Sequence, residues 1–142
     1  MRFRHSSHST YRTEYHVVWT PRYRREVLVK GVREYLKKII KNNKDLDGDI
    51  EVIRVSIQKE HLHLVLVIPP RVSVANVVKY LKSYSAKKLK EKFQFLYKIF
   101  KKPGLWSRGY CVSSIGLNEK NIIKYVEYQE KEDKGQIELK LD

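Results

Sequence analysis

Cysteine is almost absent from this sequence, in which Cys111 is the single one among 142 residues. A disulfide within the chain is therefore excluded, and so is a zinc site built from several cysteines, because each needs at least two thiol groups. The low cysteine content fits a reducing, intracellular compartment.

Long apolar runs are missing as well. No stretch approaches the roughly 20 residues that a membrane-spanning helix needs. Residues 1–9 are polar and basic, unlike the apolar segment of a secretory signal. We therefore expect a soluble protein in which residues 1–9 form a flexible basic arm.

Acidic side chains are few beside basic ones, with 16 Asp and Glu against 30 Lys and Arg and a formal charge of +14. A field of this size attracts polyanions. Ten tyrosines, two tryptophans and four phenylalanines add flat faces on which the bases of a single-stranded nucleic acid could stack. The same composition fits a basic protein whose tyrosines lie in its core, so both interpretations stay open.

The periodic segments predict one α+β domain that spans residues 1–142. Their order is strand, helix, strand, strand, helix, strand, as in ferredoxin-like (split βαβ, RRM-like) domains, with an antiparallel sheet and helices on one face. An extra carboxy-terminal helix, closed by Gly135, carries a tyrosine, and residues 134–142 form a tail. The predicted strands are 11–20, 50–57, 61–68 and 110–115, and the predicted helices are 32–43, 119–133 and one that begins after a Ser73 cap.

Two histidines, His61 and His63, flank Leu62 in an apolar run that predicts a strand. Because side chains alternate between the faces of a strand, both imidazoles project from one face and could bind one metal ion. A His-x-His pair in a strand is also commonly solvated or part of a core, so the spacing alone does not decide.

Tyr125 and Gln129 lie one helical turn apart in the last predicted helix and so share a face. With the two histidines they would supply a metal site with neutral ligands and a nucleophile for a phosphate. Attack by a tyrosine would leave a covalent phosphotyrosine, but its ordinary pKa near ~10 requires help with deprotonation. Packing is the alternative role for Tyr125, and Tyr128 competes for the role of nucleophile.

Two clusters of basic residues are candidates for holding phosphates. Either cluster could instead be an ordinary solvated surface. Trp106 and Tyr110 could stack bases or belong to the core. The basic candidates are Arg22, Arg24 and Arg25 in a turn, and Lys79, Lys82 and Lys87 on the outer face of a helix.

Four segments, in order, resemble those of the single-tyrosine (Y1) transposases of IS200/IS605 insertion sequences, which belong to the histidine-hydrophobe-histidine (HUH) endonucleases. The resemblance covers most of the chain, and four ordered motifs are a specific signal. The segments are YHVVWTPRYRR at 15–25, HLH at 61–63, LWSRGY at 105–110 and YVEYQ at 125–129.

The resemblance implies a ferredoxin-like homodimer, in the cytoplasm of a prokaryote, that cuts and rejoins single-stranded DNA at hairpin-bearing element ends. It implies Mg²⁺ or Mn²⁺ held by His61, His63 and Gln129, and a 5′-phosphotyrosine formed by Tyr125. The tyrosine helix could complete the partner subunit's site. Unlike many members of the family, this chain has Glu60 directly before the histidines, which suggests an additional acidic contact to the metal or its waters.

Two other functions compete with transposition. A non-enzymatic module of the same fold would bind single-stranded nucleic acid through aromatic side chains on its central strands. The strands at 50–57 and 61–68 carry none, which disfavours it. A nuclease that hydrolyses DNA with metal-bound water would leave no protein-linked product.

Overall fold

The computed structural model describes residues 3–101 and 104–141, without the side chains of 136–141. Within these residues the chain is a mixed α+β protein with four α-helices and six strands. In chain order the elements are β1 (Arg4–His5), β2 (Thr10–Tyr11), β3 (Glu14–Trp19), a 3₁₀ turn (Arg22–Arg24), α1 (Lys30–Lys41), β4 (Glu51–Gln58), β5 (His61–Val67), α2 (Val74–Lys92), α3 (Gln94–Ile99), β6 (Cys111–Ser113) and α4 (Glu119–Leu141).

The main sheet has four strands in the order β4-β5-β3-β6, and every neighbouring pair is antiparallel. β4 and β5 form a hairpin, built from the segments at 50–57 and 61–68 that the sequence predicted as strands. The chain leaves β3 through α1 to reach the far edge at β4, and it leaves β5 through α2 and α3 to reach the other edge at β6. β3 and β5 are therefore the two interior strands.

The main core lies between α1, α2 and one face of this sheet. Strand alternation sends Val17 and Trp19 of β3 and the leucines of β5 to that face, where they pack against the apolar stripes of the helices. The Ser73 side chain accepts a hydrogen bond from the Asn76 N–H and caps α2 as predicted. Truncation of any of these buried leucines to alanine should cost about 2–5 kcal/mol.

Helix α4 covers part of the opposite face of the sheet. Val18 points to that face and is completely buried by Ile122 and Val126, with Tyr125 and Cys111 packed at the edge of the contact. His63 is the register partner of Val18, so the metal-ligand candidates lie on the same face as α4.

Three sequence predictions need correction. The expected flexible arm instead contributes to a short hairpin of β1 and β2. An ion pair of Arg4 with Glu51 at 2.6 Å holds this hairpin to the sheet. Residues 1–2 of the expected arm lie outside the described residues. The last helix does not end at Gly135 but continues to Leu141, so most of the expected tail is helical. A glycine within a helix costs only about 1 kcal/mol, which good helix formers on either side can offset.

The third correction concerns the aromatic side chains of the sheet. β4 is an edge strand and β3 is interior, so Tyr15 and Trp19 do lie on a central strand. Trp19 is completely buried in the main core and cannot stack a base, and Tyr15 packs against the same core while half-buried. None of the described helices is long and apolar enough to cross a membrane.

Candidate active site

His61 and His63 begin the interior strand β5 and project from the face that α4 partly covers. His61 is 7% exposed, and its Nδ1 lies 3.1 Å from Glu60 Oε1. The Nε2 of His63 lies 3.0 Å from Nδ1 of His16, which projects from β3 on the same face. Within the described part of the chain, His61 Nε2 and His63 Nδ1 have no hydrogen-bond partner, so each ring keeps one nitrogen free for a ligand.

Electrostatics keeps His63 neutral. Burial, and then the neighbouring His16, His61 and Arg54, lower its pKa from 6.5 to about 4. A neutral imidazole has the lone pair that a metal ion needs.

The second half of the site is a ladder of side chains at four-residue spacing on α4. The Tyr125 hydroxyl donates to Gln129 Oε1 at 3.1 Å, and Gln129 Nε2 donates to Asp133 Oδ1 at 3.2 Å. Gln129 and Asp133 are buried, and Tyr125 is partly so. Burial, with Cys111 and Asp133 nearby, raises the pKa of Tyr125 well above its ordinary value of 10, so the phenol is protonated at neutral pH.

Asp133 ties this ladder to the rest of the molecule. It is completely buried, and its Oδ2 accepts from the Ser107 hydroxyl at 2.6 Å and from the Tyr23 backbone N–H at 2.9 Å. Tyr23 and Arg24 adopt φ angles of 61° and 54°, a left-handed conformation that non-glycine residues rarely take. The turn that follows β3 is therefore shaped to meet α4.

The loop of residues 107–109 forms the wall beside the ladder. Lys82 reaches it from α2, and its ammonium donates to the carbonyl oxygens of Ser107, Arg108 and Gly109 at 2.6, 3.2 and 3.0 Å. A Cβ on Gly109 would lie 2.7 Å from Gln129 Oε1 and 3.7 Å from the Tyr125 hydroxyl. The absence of a side chain at Gly109 therefore leaves room for the Gln129 oxygen.

The two halves lie on the same face of the sheet, over different strands. Val18 lies between His63 on one side and Cys111, which packs with Tyr125, on the other. Two strand spacings, about 10 Å, therefore separate the histidine strand from the strand beside Tyr125. No hydrogen bond joins the two halves among the described residues.

The donor atoms on this face suit a divalent ion with mixed nitrogen and oxygen preference. The described residues contain no cluster of three or more His, Cys, Asp and Glu that could hold a metal. Beyond the two imidazoles, further ligands would have to be an amide oxygen, such as that of Gln129, or water. Of the two expected ions, Mn²⁺ accepts imidazole more readily than Mg²⁺ does.

The basic candidates divide into two groups. Arg22 is buried and Lys82 is bound to three carbonyls, so these two are not the exposed cations that the sequence suggested. Arg24 lies 3.5 Å from Glu130 of α4. Arg25, Lys79 and Lys87 are exposed and keep the expected character.

Trp106 and Tyr110, the two residues that the sequence suggested for base stacking, differ in their exposure. Trp106 is in the core and donates from Nε1 to the buried Ser85 hydroxyl at 3.0 Å. Tyr110 is partly exposed and, with Lys79 and Arg108, lines a cavity of about 220 Å³. Tyr110 alone of this pair has a surface for a base.

Sequence reasoning missed His16, Gly109 and Asp133 as members of the site. His16 and Gly109 lie inside the motifs at 15–25 and 105–110, which were used only for the resemblance. Asp133 continues the four-residue spacing of Tyr125 and Gln129, a signal that was present in the sequence.

Comparison with known proteins identifies the family of the chain. The family profile described as "Transposase IS200 like" matches residues 9–129. The transposase for insertion sequence element IS200 of Salmonella typhimurium is 30% identical over 128 residues, which cover 90% of this chain and 84% of that protein. The ISDra2 transposase TnpA of Deinococcus radiodurans is 33% identical over 120 residues, which cover 84% of this chain and 85% of that protein.

The fold has a solved relative too. The crystal structure of a Deinococcus radiodurans R1 protein, provisionally described as a transposase, superposes with a TM-score of 0.77 at 29% identity, covering 89% of this chain and 97% of that one. With the family profile spanning most of the sequence, these relatives establish that the chain belongs to the IS200-like, single-tyrosine transposases of the IS200/IS605 insertion sequences.

Proposed function

We propose that this transposase cuts and rejoins single-stranded DNA through a transient 5′-phosphotyrosine on Tyr125. The observation that carries the proposal is the ladder on α4, in which the Tyr125 hydroxyl and the Gln129 amide are hydrogen-bonded neighbours on the sheet face that also bears His61 and His63. In the reaction the phenolic oxygen forms a bond to phosphorus and the bond from phosphorus to the 3′-oxygen of the cleaved strand breaks. The phenol gives up its proton to solvent, and the leaving oxygen takes one up to become a 3′-hydroxyl. Reversal with another 3′-hydroxyl rejoins the strand.

His61, through Nε2, His63, through Nδ1, and Gln129, through Oε1, are the proposed ligands of a divalent ion. Mg²⁺ or Mn²⁺, when bound, would act as a Lewis acid on the scissile phosphate. The nitrogens that the rings do not offer are hydrogen-bonded to Glu60 and His16, as ligand histidines usually require of their second nitrogen. Glu60 thus supports a ligand in this arrangement rather than being one.

We further propose a ferredoxin-like homodimer with composite sites. The strand order and antiparallel pairing support the fold assignment. β6 is an edge strand of the sheet. Val112 in β6 is 43% exposed, and Ile115, two residues after the strand, is 75% exposed. This apolar edge suits a second copy of the chain. No hydrogen bond joins the α4 residues to the histidines among the described residues of one chain, and α4 could instead meet the histidines of the partner subunit.

The proposed substrate is the hairpin-bearing single-stranded end of an insertion element, with Arg25, Lys79 and Lys87 as phosphate contacts. Their exposure and the charge of +14 support a polyanionic ligand. The alternative of a non-enzymatic binding module has less support, because Trp19 is buried in the core and Tyr15 packs against it.

The deciding experiment compares Tyr125→Phe with Tyr128→Phe. Tyr128 is 59% exposed on the same helix and is the matched control. With single-stranded element ends and Mn²⁺, wild type and Tyr128→Phe should give a denaturation-resistant protein–DNA adduct, and Tyr125→Phe should give none while still binding the DNA. An adduct with Tyr125→Phe, or its loss only in Tyr128→Phe, would refute the assignment. Cleavage without any adduct would indicate hydrolysis.

A further inference from the structure

Asp133 lies beyond every segment that carries the resemblance, yet its carboxylate joins three parts of the molecule. It is completely buried and accepts hydrogen bonds from Tyr23 in the turn after β3, from Ser107 in the loop after α3, and from Gln129 on its own helix. The Ser107 hydroxyl also lies 3.0 Å from the Thr20 hydroxyl, which fixes that side of the network.

The consequence for Gln129 is chemical as well as steric. An amide side chain can turn over and exchange its oxygen with its nitrogen, which have nearly the same size. An ionised carboxylate only accepts hydrogen bonds, so Asp133 selects the orientation that presents the Gln129 NH₂ group to it. The Gln129 oxygen must then point away, toward the Tyr125 hydroxyl and Gly109.

A metal ion discriminates between the same two orientations. An amide oxygen is a ligand for a hard divalent cation, whereas an amide NH₂ group is not. The orientation that Asp133 selects therefore leaves the Gln129 oxygen on the side of the tyrosine.

We propose that Asp133 is a positioning residue that fixes the Gln129 amide with its oxygen toward the metal ion and the Tyr125 hydroxyl. This inference deepens the proposed function and rests on its assignment of Gln129 as a ligand. Along α4, Asp133 then orients Gln129, and Gln129 in turn accepts the hydrogen bond of Tyr125.

A reciprocal exchange of groups tests the inference. In Asp133→Asn, the asparagine oxygen can still accept from Tyr23 and Ser107, so its NH₂ group faces Gln129 and turns that amide over. In Gln129→Glu, two carboxylates face each other and the ladder loses its donor. In the double variant, the asparagine NH₂ group donates to one glutamate oxygen and leaves the other free for the ion.

Mn²⁺ affinity, measured by electron paramagnetic resonance on the full chain, is the readout. Each single variant should bind Mn²⁺ about 10- to 100-fold more weakly than wild type, as is typical when an outer partner of a ligand is altered. The double variant should recover most of that loss. A merely structural role for Asp133 predicts no recovery.

The control is Ser107→Ala, which removes one hydrogen bond from Asp133 and leaves the Gln129 contact in place. It should lower the melting temperature without changing Mn²⁺ affinity. If Asp133→Asn does not fold, Gln129→Glu alone still decides. Tighter Mn²⁺ binding in that variant would mean that the Asp133 carboxylate does not control which group position 129 presents to the ion, and the inference would be wrong.

Failure of the proposed function has a different signature. If His61→Ala binds Mn²⁺ as wild type does, or if wild type binds none, the proposed metal site is wrong. Mn²⁺ binding that depends on His61 but not on Asp133 would overturn this inference alone.

Discussion

Replacement of Gly109 by alanine should disable the site by crowding it, without removal of any functional group. The new Cβ would lie 2.7 Å from Gln129 Oε1, and ordinary contacts begin near 3.4 Å. Gln129 would have to withdraw by about 0.7 Å, but Asp133 holds its other end and its surroundings are packed. The hydrogen bond from Tyr125, at 3.1 Å, is the contact that gives way.

The magnitude follows from two effects. Overpacking of a filled site costs about 1–3 kcal/mol, and loss of the hydrogen bond adds about 0.5–1.5 kcal/mol. At about 2–4 °C per kcal/mol for a chain of this length, the melting temperature of Gly109→Ala should fall by roughly 3–18 °C. Because the proposed ligand is displaced and its hydrogen bond with the proposed nucleophile is lost, adduct yield should fall at least tenfold at a temperature where the variant remains folded.

The control is Gly48→Ala, since a Cβ on Gly48 would meet nothing within 4 Å. It should keep both the melting temperature and the adduct yield of wild type. Calorimetry and a denaturing-gel adduct assay measure the two quantities. Full adduct yield from Gly109→Ala would show that the Gln129 and Tyr125 contacts at this loop have no part in catalysis.

Two further predictions concern neighbours of the site. His16→Ala should weaken Mn²⁺ binding about 10- to 100-fold, because His63 loses the partner that orients its ring. The control is His5→Ala, on an exposed hairpin, which should not change Mn²⁺ affinity. Equal affinities of the two variants in a titration would contradict the role given to His16. Burial lowers the pKa of Lys82 from 10.5 to about 8, so the unfolded chain binds more protons between pH 8 and 10.5 and stability must rise with pH in that window. After allowance for partial exposure, the free energy of unfolding of wild type, measured relative to that of Lys82→Met in urea titrations, should rise by about 1–2 kcal/mol from pH 8 to 10.5. If this difference between the two proteins does not change across the window, Lys82 is not desolvated.

The sequence was sufficient for the parts of the fold that depend on local pattern. Alternation in β4 and β5, the stripe of α2 and the Ser73 cap are each written in consecutive residues, and the structure has all of them. Element order led to the ferredoxin-like prediction, and the antiparallel sheet is present. The errors arose where tertiary contacts override local signals, as with the end of α4 at Gly135 and the hairpin formed by residues 4–11.

In the candidate site, too, the sequence predicted what local spacing determines and missed what contacts between distant segments determine. His61 and His63, and likewise Tyr125 and Gln129, are each set by the period of a single element, so spacing alone could pair them. Whether the two pairs meet depends on how α4 lies on the sheet, which is decided by contacts between distant segments. The burial of Val18 under Ile122 and Val126 fixes one end of that contact, and the buried carboxylate of Asp133 fixes the other.

These two attachments differ in what they can tolerate. The apolar contact at Val18 is non-directional, so α4 could slide or turn there at little cost. The Asp133 network is directional, because a buried carboxylate that loses its donors pays a full desolvation penalty. The register of α4, and with it the position of the Tyr125 hydroxyl, is therefore set at the Asp133 end. Exchange of α4 between subunits would have to rebuild the hydrogen bonds from Tyr23 and Ser107 on the partner, or leave this end of the helix where it is.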